Sequence, residues 1–284
     1  MFPEYPFSSN YLEIDNGKLH YVDEGGGPVV VMVHGNPTWS YYYRNLISAV
    51  KKNHRVIALD HLGCGLSDKP QDYQYTLENH IANFELLLAT LGIDKFSLVV
   101  HDWGGAIGMG VATRRPEAIK KIVVLNTAAF RSKLIPFRIR LCRLPFFGEF
   151  IVRFFNGFAW PATFMAVTTK MDPDVAKAYL APYNTWKNRI ATHRFVQDIP
   201  LEPDHVSYDT LVQIEQGLTQ LNELGVPMQI VWGGKDFCFN DVFFNEWIQR
   251  FPQAESHYYK DGGHYILEDK RQQAIPLIQS FLNK

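Results

Sequence analysis

Four apolar runs mark the first half of the chain: PVVVMVH (28–34), HRVIALD (54–60), KFSLVVH (95–101) and KKIVVLN (120–126). None alternates between apolar and polar residues, which is the pattern of a strand covered on both faces. Between the second and third lies TLENHIANFELLLATLG (76–92), helix-like in its spacing of apolar positions. Strands alternating with helices predict a parallel sheet with helices on both sides. YLEIDNGKLHYVDEGG (11–26) alternates instead, and its Asn-Gly pair predicts a hairpin turning on Asn16-Gly17 at an antiparallel edge.

After Asn126 this rhythm stops. Residues 130–200 hold no clear buried strand but an aromatic-rich, helix-prone sequence that includes Phe146, Phe147, Phe150, Phe154, Phe155, Phe158, Trp160 and Phe164. Strand pattern returns at VPMQIVWGG (226–234) and, more weakly, at SHYYKDGGH (256–264). The predicted organisation is one α/β core in two parts, 1–127 and 206–284, interrupted by a helical insertion over 128–205. A crevice between sheet and insertion, beyond the carboxyl ends of the strands, is where a ligand is expected.

Composition narrows the classes. The chain has 284 residues, 46% of them hydrophobic, and a net charge of −1. That length fits one large domain. The balance gives no bulk attraction to nucleic acid or an anionic membrane. Cys64, Cys142 and Cys238 have neither metal-binding nor disulfide spacing, so buried free thiols in a reducing compartment are expected, with no metal and no cofactor. The N-terminal MFPEYPFSSNYLEI lacks the pattern of a signal peptide, and no apolar run is long enough to span a bilayer, so a cytoplasmic protein is expected.

The candidate chemistry lies where the strands end. VVHDWGG (99–105) has the strand–turn–helix setting of a nucleophile elbow, with Asp102 at the position that serine takes in many hydrolases. Asp236 follows the run QIVWGGK, and His264 stands in GGHYILED after the last weak strand. Nucleophile, acid and histidine come in the chain order of α/β-hydrolases. HGNPTWS (34–40) follows the first central strand, and there the backbone N–H of Asn36, with that of Trp103, is positioned to form an oxyanion hole.

Together HGNPTWSYYYR, DHLGCGLSDKP, VVHDWGG, WGGKDF and GHYILED resemble the haloalkane dehalogenase family of the α/β-hydrolase fold, from about residue 20 to residue 270. DHLGCGLSDKP, VVLNTAAF and YLAPYNTWKNRIATHRFVQDIPL most resemble its subfamily III, the branch that includes cis-β-lactone decarboxylases of bacterial olefin biosynthesis. The resemblance implies an Asp102 nucleophile, a His264–Asp236 pair, and Asn36 and Trp103 as donors to the leaving group. It also implies a small apolar substrate and assembly with other enzymes of olefin biosynthesis. Some dehalogenases carry the acid after the strand that here ends in LNTAAF, but Asn126 cannot serve, which favours Asp236.

The residue types suit this chemistry. A carboxylate attacking a saturated carbon leaves an ordinary ester, which splits one difficult step into two. His264 would activate water, with Asp236 orienting the imidazole. The Trp103 indole N–H and the Asn36 amide are neutral donors for a departing halide or carboxylate oxygen. The expected activity is decarboxylation of a cis-3-alkyl-4-alkyloxetan-2-one to a cis-olefin and CO2, with haloalkane hydrolysis as the alternative. Further readings are an epoxide hydrolase using cap tyrosines such as Tyr179 and Tyr183, a cofactor-free oxygenase, and a ligand receptor on the same fold.

The insertion carries Arg131, Lys133, Arg138, Arg140, Arg143 and Arg153, and Glu149 is its only acid before Asp172. Two readings follow: a solvated basic face over core-facing phenylalanines, or a docking surface for a partner or an acyl-chain substrate.

Overall fold

The computed structural model describes residues 2–284. Eight strands form a single sheet: β1 (Asn10–Ile14), β2 (Gly17–Gly25), β3 (Val29–Val33), β4 (Arg55–Leu59), β5 (Phe96–Asp102), β6 (Ile119–Thr127), β7 (Met228–Gly233) and β8 (Glu255–Tyr259). Their spatial order is β1-β2-β4-β3-β5-β6-β7-β8. Only β2 runs against its neighbours, antiparallel to both β1 and β4; every other pairing is parallel.

The edge hairpin is present, but its turn lies one residue earlier than Asn16-Gly17. Ile14 pairs with Gly17, so Asp15 and Asn16 make the connection. Neither has positive φ; Gly17 does, at +132°, and a β-carbon there would press on the Asp68 side chain. The glycine therefore serves the residue after the turn rather than the turn itself.

The unbroken apolar runs are explained by the two sides of the sheet. Val31, Val33, Leu98, Val100, Ile122 and Val124 enter one core, and the alternating residues Val30, Met32, Val99, Val123 and Leu125 enter the other. Helices α2 (Leu77–Thr90) and α3 (Trp103–Arg114), with the helix Tyr208–Glu223, cover the first face; α1 (Arg44–Val50) and the helix Arg271–Asn283 cover the second. Each strand residue thus leaves water, contributing about 1.5–3 kcal/mol when fully buried. Among the described residues no strand lies between Thr127 and Met228, and that stretch holds a series of short helices followed by the longer Tyr208–Glu223. Nor is any helix of the described residues long and apolar enough to cross a membrane.

One buried ion pair fastens these helices to the core. Arg44, 1% exposed, donates from both terminal nitrogens to Glu268 at 2.5 and 3.0 Å, and its guanidinium lies 4.3 Å from the Tyr41 ring centre. The Tyr179 hydroxyl, on the helix Pro173–Leu180, donates to the same carboxylate at 2.5 Å. Removing the guanidinium strands a buried carboxylate. Arg44→Met is expected to lower unfolding free energy by about 3–5 kcal/mol, measured by urea titration.

Candidate active site

Strand β5 ends at Asp102 and α3 begins at the next residue. Asp102 sits at φ +52°, ψ −128°, a region that side chains other than glycine rarely adopt and that costs about 1–3 kcal/mol. The surroundings enforce it. The Thr127 hydroxyl donates to the Asp102 carbonyl. A β-carbon at Gly104 would strike the Val33 carbonyl, one at Gly105 the Thr127 hydroxyl, and one at Gly35 the Asp102 carboxylate itself. These glycines let the helix start tight against the sheet, so the carboxylate projects beyond the strand ends.

Its partners come from three further segments. The Asn36 N–H donates to Asp102 Oδ1 at 2.6 Å, and the Trp103 N–H donates to the same carboxylate. His264 Nε2 stands 3.6 Å from Asp102 Oδ2, a contact of charge rather than a formed hydrogen bond. On its other side His264 Nδ1 donates to Asp236 Oδ2 at 2.6 Å. Asp236 also accepts from the Cys238 N–H at 2.7 Å and from Asn126 Nδ2 at 3.0 Å. The structure therefore brings all five sequence-predicted residues together.

Two supporting residues escape the sequence reading. Asn126, noted there only as unable to be an acid, clasps β7 through the Gly233 carbonyl at 3.0 Å and the Gly233 N–H at 2.8 Å while it holds Asp236. Its signal is a fully buried amide at a strand end. His61 locks the turn that carries Asn36: its N–H donates to His34 Nε2 at 3.0 Å, and its ring Nε2 donates to the His34 carbonyl at 2.9 Å. Burial pushes both imidazoles down, so they stay neutral and act as hydrogen-bonding props.

Charge at the centre is balanced. Burial pushes the Asp102 carboxyl up, but the adjoining His264 outweighs it and holds the group below the usual carboxylate range. Burial also pushes His264 down, and the carboxylates of Asp236 and Asp102 overcome that and raise it to about 10. At neutral pH this is an imidazolium between two carboxylates.

The group faces a cavity of about 480 Å³. Asn36, Asp102, Trp103 and His264 form its polar end, and the remainder includes Phe130, Ile139, Leu141, Phe158, Met165 and Val196. One amide hydrogen of Asn36 is taken by the Thr192 carbonyl at 3.1 Å, leaving the other. The Trp103 ring packs beside Phe195 at 5.3 Å. Among the described residues no cluster of three histidine, cysteine or acidic side chains is arranged to hold a metal ion.

Residues 28–271 match the family described as the alpha/beta hydrolase fold. The chain belongs to that family. It is 47% identical to the cis-3-alkyl-4-alkyloxetan-2-one decarboxylase of Shewanella oneidensis, over 98% of this chain and 89% of the relative. It is 41% identical to the enzyme of the same name from Xanthomonas campestris pv. campestris, over 100% and 98%. Haloalkane dehalogenase 2 of Mycobacterium tuberculosis (strain H37Rv) is 30% identical over 93% and 91%. A solved haloalkane dehalogenase from Agrobacterium tumefaciens C58 superposes with a TM-score of 0.87 at 25% identity, covering 97% of this chain and 96% of that one.

Two features of the insertion qualify this alpha/beta hydrolase. The cap tyrosines that an epoxide hydrolase would need face elsewhere: Tyr179 binds Glu268, Tyr183 donates to the Thr38 carbonyl at 3.2 Å, and neither lines the cavity. Of the phenylalanines between 146 and 164, only Phe158 packs inward, against Cys142, Val152 and Val196. Phe146 is 89% exposed, and Phe147, Phe150, Phe154, Phe155, Phe164 and Trp160 are all exposed as well. The insertion is too thin, in short helices of three to eight residues, to bury rings on every side.

The shared charge of the centre makes a direct expectation. Asp102→Asn removes one of the anions that hold His264 up, so the imidazole should titrate lower than in the parent protein. Nitrogen-15 NMR of the histidines should show His264 titrating near 10 in the parent and clearly lower in the variant. An unchanged midpoint would mean that Asp102 exerts no electrostatic hold on the ring.

Proposed function

We propose that this protein decarboxylates cis-3-alkyl-4-alkyloxetan-2-ones, giving a cis-olefin and CO2, with Asp102 as nucleophile. The observation that carries the proposal is a buried carboxylate at an elbow, aimed into an apolar cavity, in a chain 47% and 41% identical along nearly its whole length to two enzymes of that name. The division into a core of 1–127 and 206–284 with a cap of 128–205 is part of the same reading. So is a cytoplasmic, reducing setting, which fits three free cysteines.

In the proposed chemistry an Asp102 oxygen attacks C4, the saturated ring carbon next to the ring oxygen. The C4–O bond breaks, and its electrons leave with the oxygen as a carboxylate on C2. The Trp103 indole N–H and the remaining Asn36 amide hydrogen receive that carboxylate. The C2–C3 bond then breaks to release CO2, and its electron pair forms the C3=C4 double bond as Asp102 departs from C4. Inversion followed by anti departure preserves the cis arrangement, and no water is consumed. His264, as an imidazolium held by Asp236, balances the carboxylates as charge moves.

A second reading keeps the same residues. Asp102 displaces a halide, and water attacks the resulting ester with His264 as base, the backbone N–H groups of Asn36 and Trp103 holding the oxyanion. Alkylation of Asp102 abolishes one of the charges that hold His264 up, so its pKa falls as a base is needed. The 30% identical dehalogenase supports this reading.

The two readings separate when a cis-β-lactone and a bromoalkane are assayed in parallel, following olefin and CO2 in one and bromide in the other. The expected result is a higher kcat/KM for the lactone. Rapid bromide release with no olefin overturns the decarboxylase proposal. In His264→Gln, a bromoalkane should leave an alkyl ester on Asp102, detectable by intact mass and peptide mapping.

The donors are tested separately. Trp103→Phe and Asn36→Ala should each slow turnover by roughly a hundredfold or more, in line with about 2.7–4 kcal/mol for one such donor. Unchanged rates in both variants would assign the leaving group to other residues.

A further inference from the structure

Residues 128–171 contain seven basic residues and one acid, Glu149, in a chain whose net charge is −1. That acid is occupied by Arg153 at 2.6 Å. Lys133, Arg138 and Arg140 have no carboxylate partner among the described residues. Around these cations the chain exposes large apolar side chains. Phe137 is 71% exposed, Phe146 89% and Phe154 60%, and Leu134, Phe155 and Trp160 are also exposed.

These rings do not serve the fold. They stack on one another instead: Phe150 on Phe154 at 5.2 Å, Phe154 against Phe155 at 5.1 Å, Trp160 against Phe164 at 5.2 Å. Phe146 even holds a left-handed backbone, φ +59°, an uncommon conformation for a bulky residue, while its ring stands in water. Exposed large apolar side chains gathered this densely in one segment mark an interaction surface.

Part of this surface also borders the cavity. Leu134, Arg138 and Phe147 are exposed and at the same time line the cavity. Aromatic and aliphatic side chains interspersed with unpaired cations are suited to the boundary of a bilayer, where rings enter the acyl region and cations meet anionic headgroups. The unbalanced charge selects an anionic surface, and the shared mouth gives the contact a use.

We propose that the exposed aromatic and basic face of residues 133–164 docks the protein peripherally on anionic lipid bilayers. Docked there, the cavity mouth faces the lipid, and an apolar substrate passes between bilayer and cavity without crossing water. Docking itself is independent of the function proposed above; only the passage of an alkyl-chain substrate rests on that reading.

Vesicle sedimentation of the full chain, with no substrate present, tests it. The vesicles are phosphatidylcholine alone or phosphatidylcholine with roughly one-third phosphatidylglycerol. Binding to the anionic vesicles should be about tenfold tighter or more, and should weaken as salt is raised. Lys133→Glu/Arg140→Glu should weaken anionic binding about tenfold or more, and Phe154→Ser/Phe155→Ser should do the same by a salt-insensitive route. None of these four residues lines the cavity, and unchanged circular dichroism and Tm would show that the variants fold.

Absence of binding to either vesicle overturns the proposal. Equal binding to both, insensitive to the charge variant, overturns the anionic assignment. Self-association in analytical ultracentrifugation that is abolished by the phenylalanine variant, without vesicle binding, would assign the face to a second copy and overturn it as well.

Discussion

A carboxylate almost sealed from water must find its counter-charge inside the protein, and the architecture around Asp102 follows from that demand. Two backbone N–H groups and the imidazolium of His264 supply it. Each needs a rigid carrier: the turn at Gly35-Asn36 for one, the first turn of α3 for another, and the loop after β8 for the third. Strand ends in a parallel sheet bring such turns together, because neighbouring strands finish at the same edge. The strained φ of Asp102 is the local cost of putting the carboxylate there, and the small residues at 35, 104 and 105 make the conformation possible.

The helices between β6 and β7 are tied to the sheet in two ways. The core is held by two continuous apolar layers, and the helices between β6 and β7 join them, through Phe195, Leu211 and Ile214 on one side and Val175 and Ala178 on the other, beside a small separate cluster around Cys142, Val152 and Val196. Specific polar ties add to this packing, such as Tyr179 to Glu268 and Arg143 to the Ile199 carbonyl at 2.6 Å.

Much of this is legible before any coordinates. The non-alternating runs at 28–34, 54–60, 95–101 and 120–126 announce β3 to β6, since only a strand buried on both faces is apolar throughout. The positions of Asp102, Asp236 and His264 after strand signals place them at one edge. What eludes the sequence is whatever depends on distance in three dimensions. The hairpin turn lies one residue earlier, with Gly17 against Asp68, far along the chain. Asn126 is an anonymous amide until β7 lies beside it, and the exposure of Phe146 cannot be inferred from spacing, because helical periodicity assumes a core large enough to receive one face.

The amide of Asn126 also constrains how such a site can change through time. It lies 3.0 Å from Asp236 and spends its oxygen on the Gly233 N–H. An acid installed at 126 beside the existing one would set two carboxylates within hydrogen-bond distance in a buried place, where both cannot be ionised. One would take up a proton, and the imidazole would face a weaker counter-charge. A lineage moving its orienting acid from one strand to the next therefore gains little from duplicating it first. One acid and one neutral amide across the two strand ends keep the stronger counter-charge for the imidazole, so the two positions are electrostatically coupled.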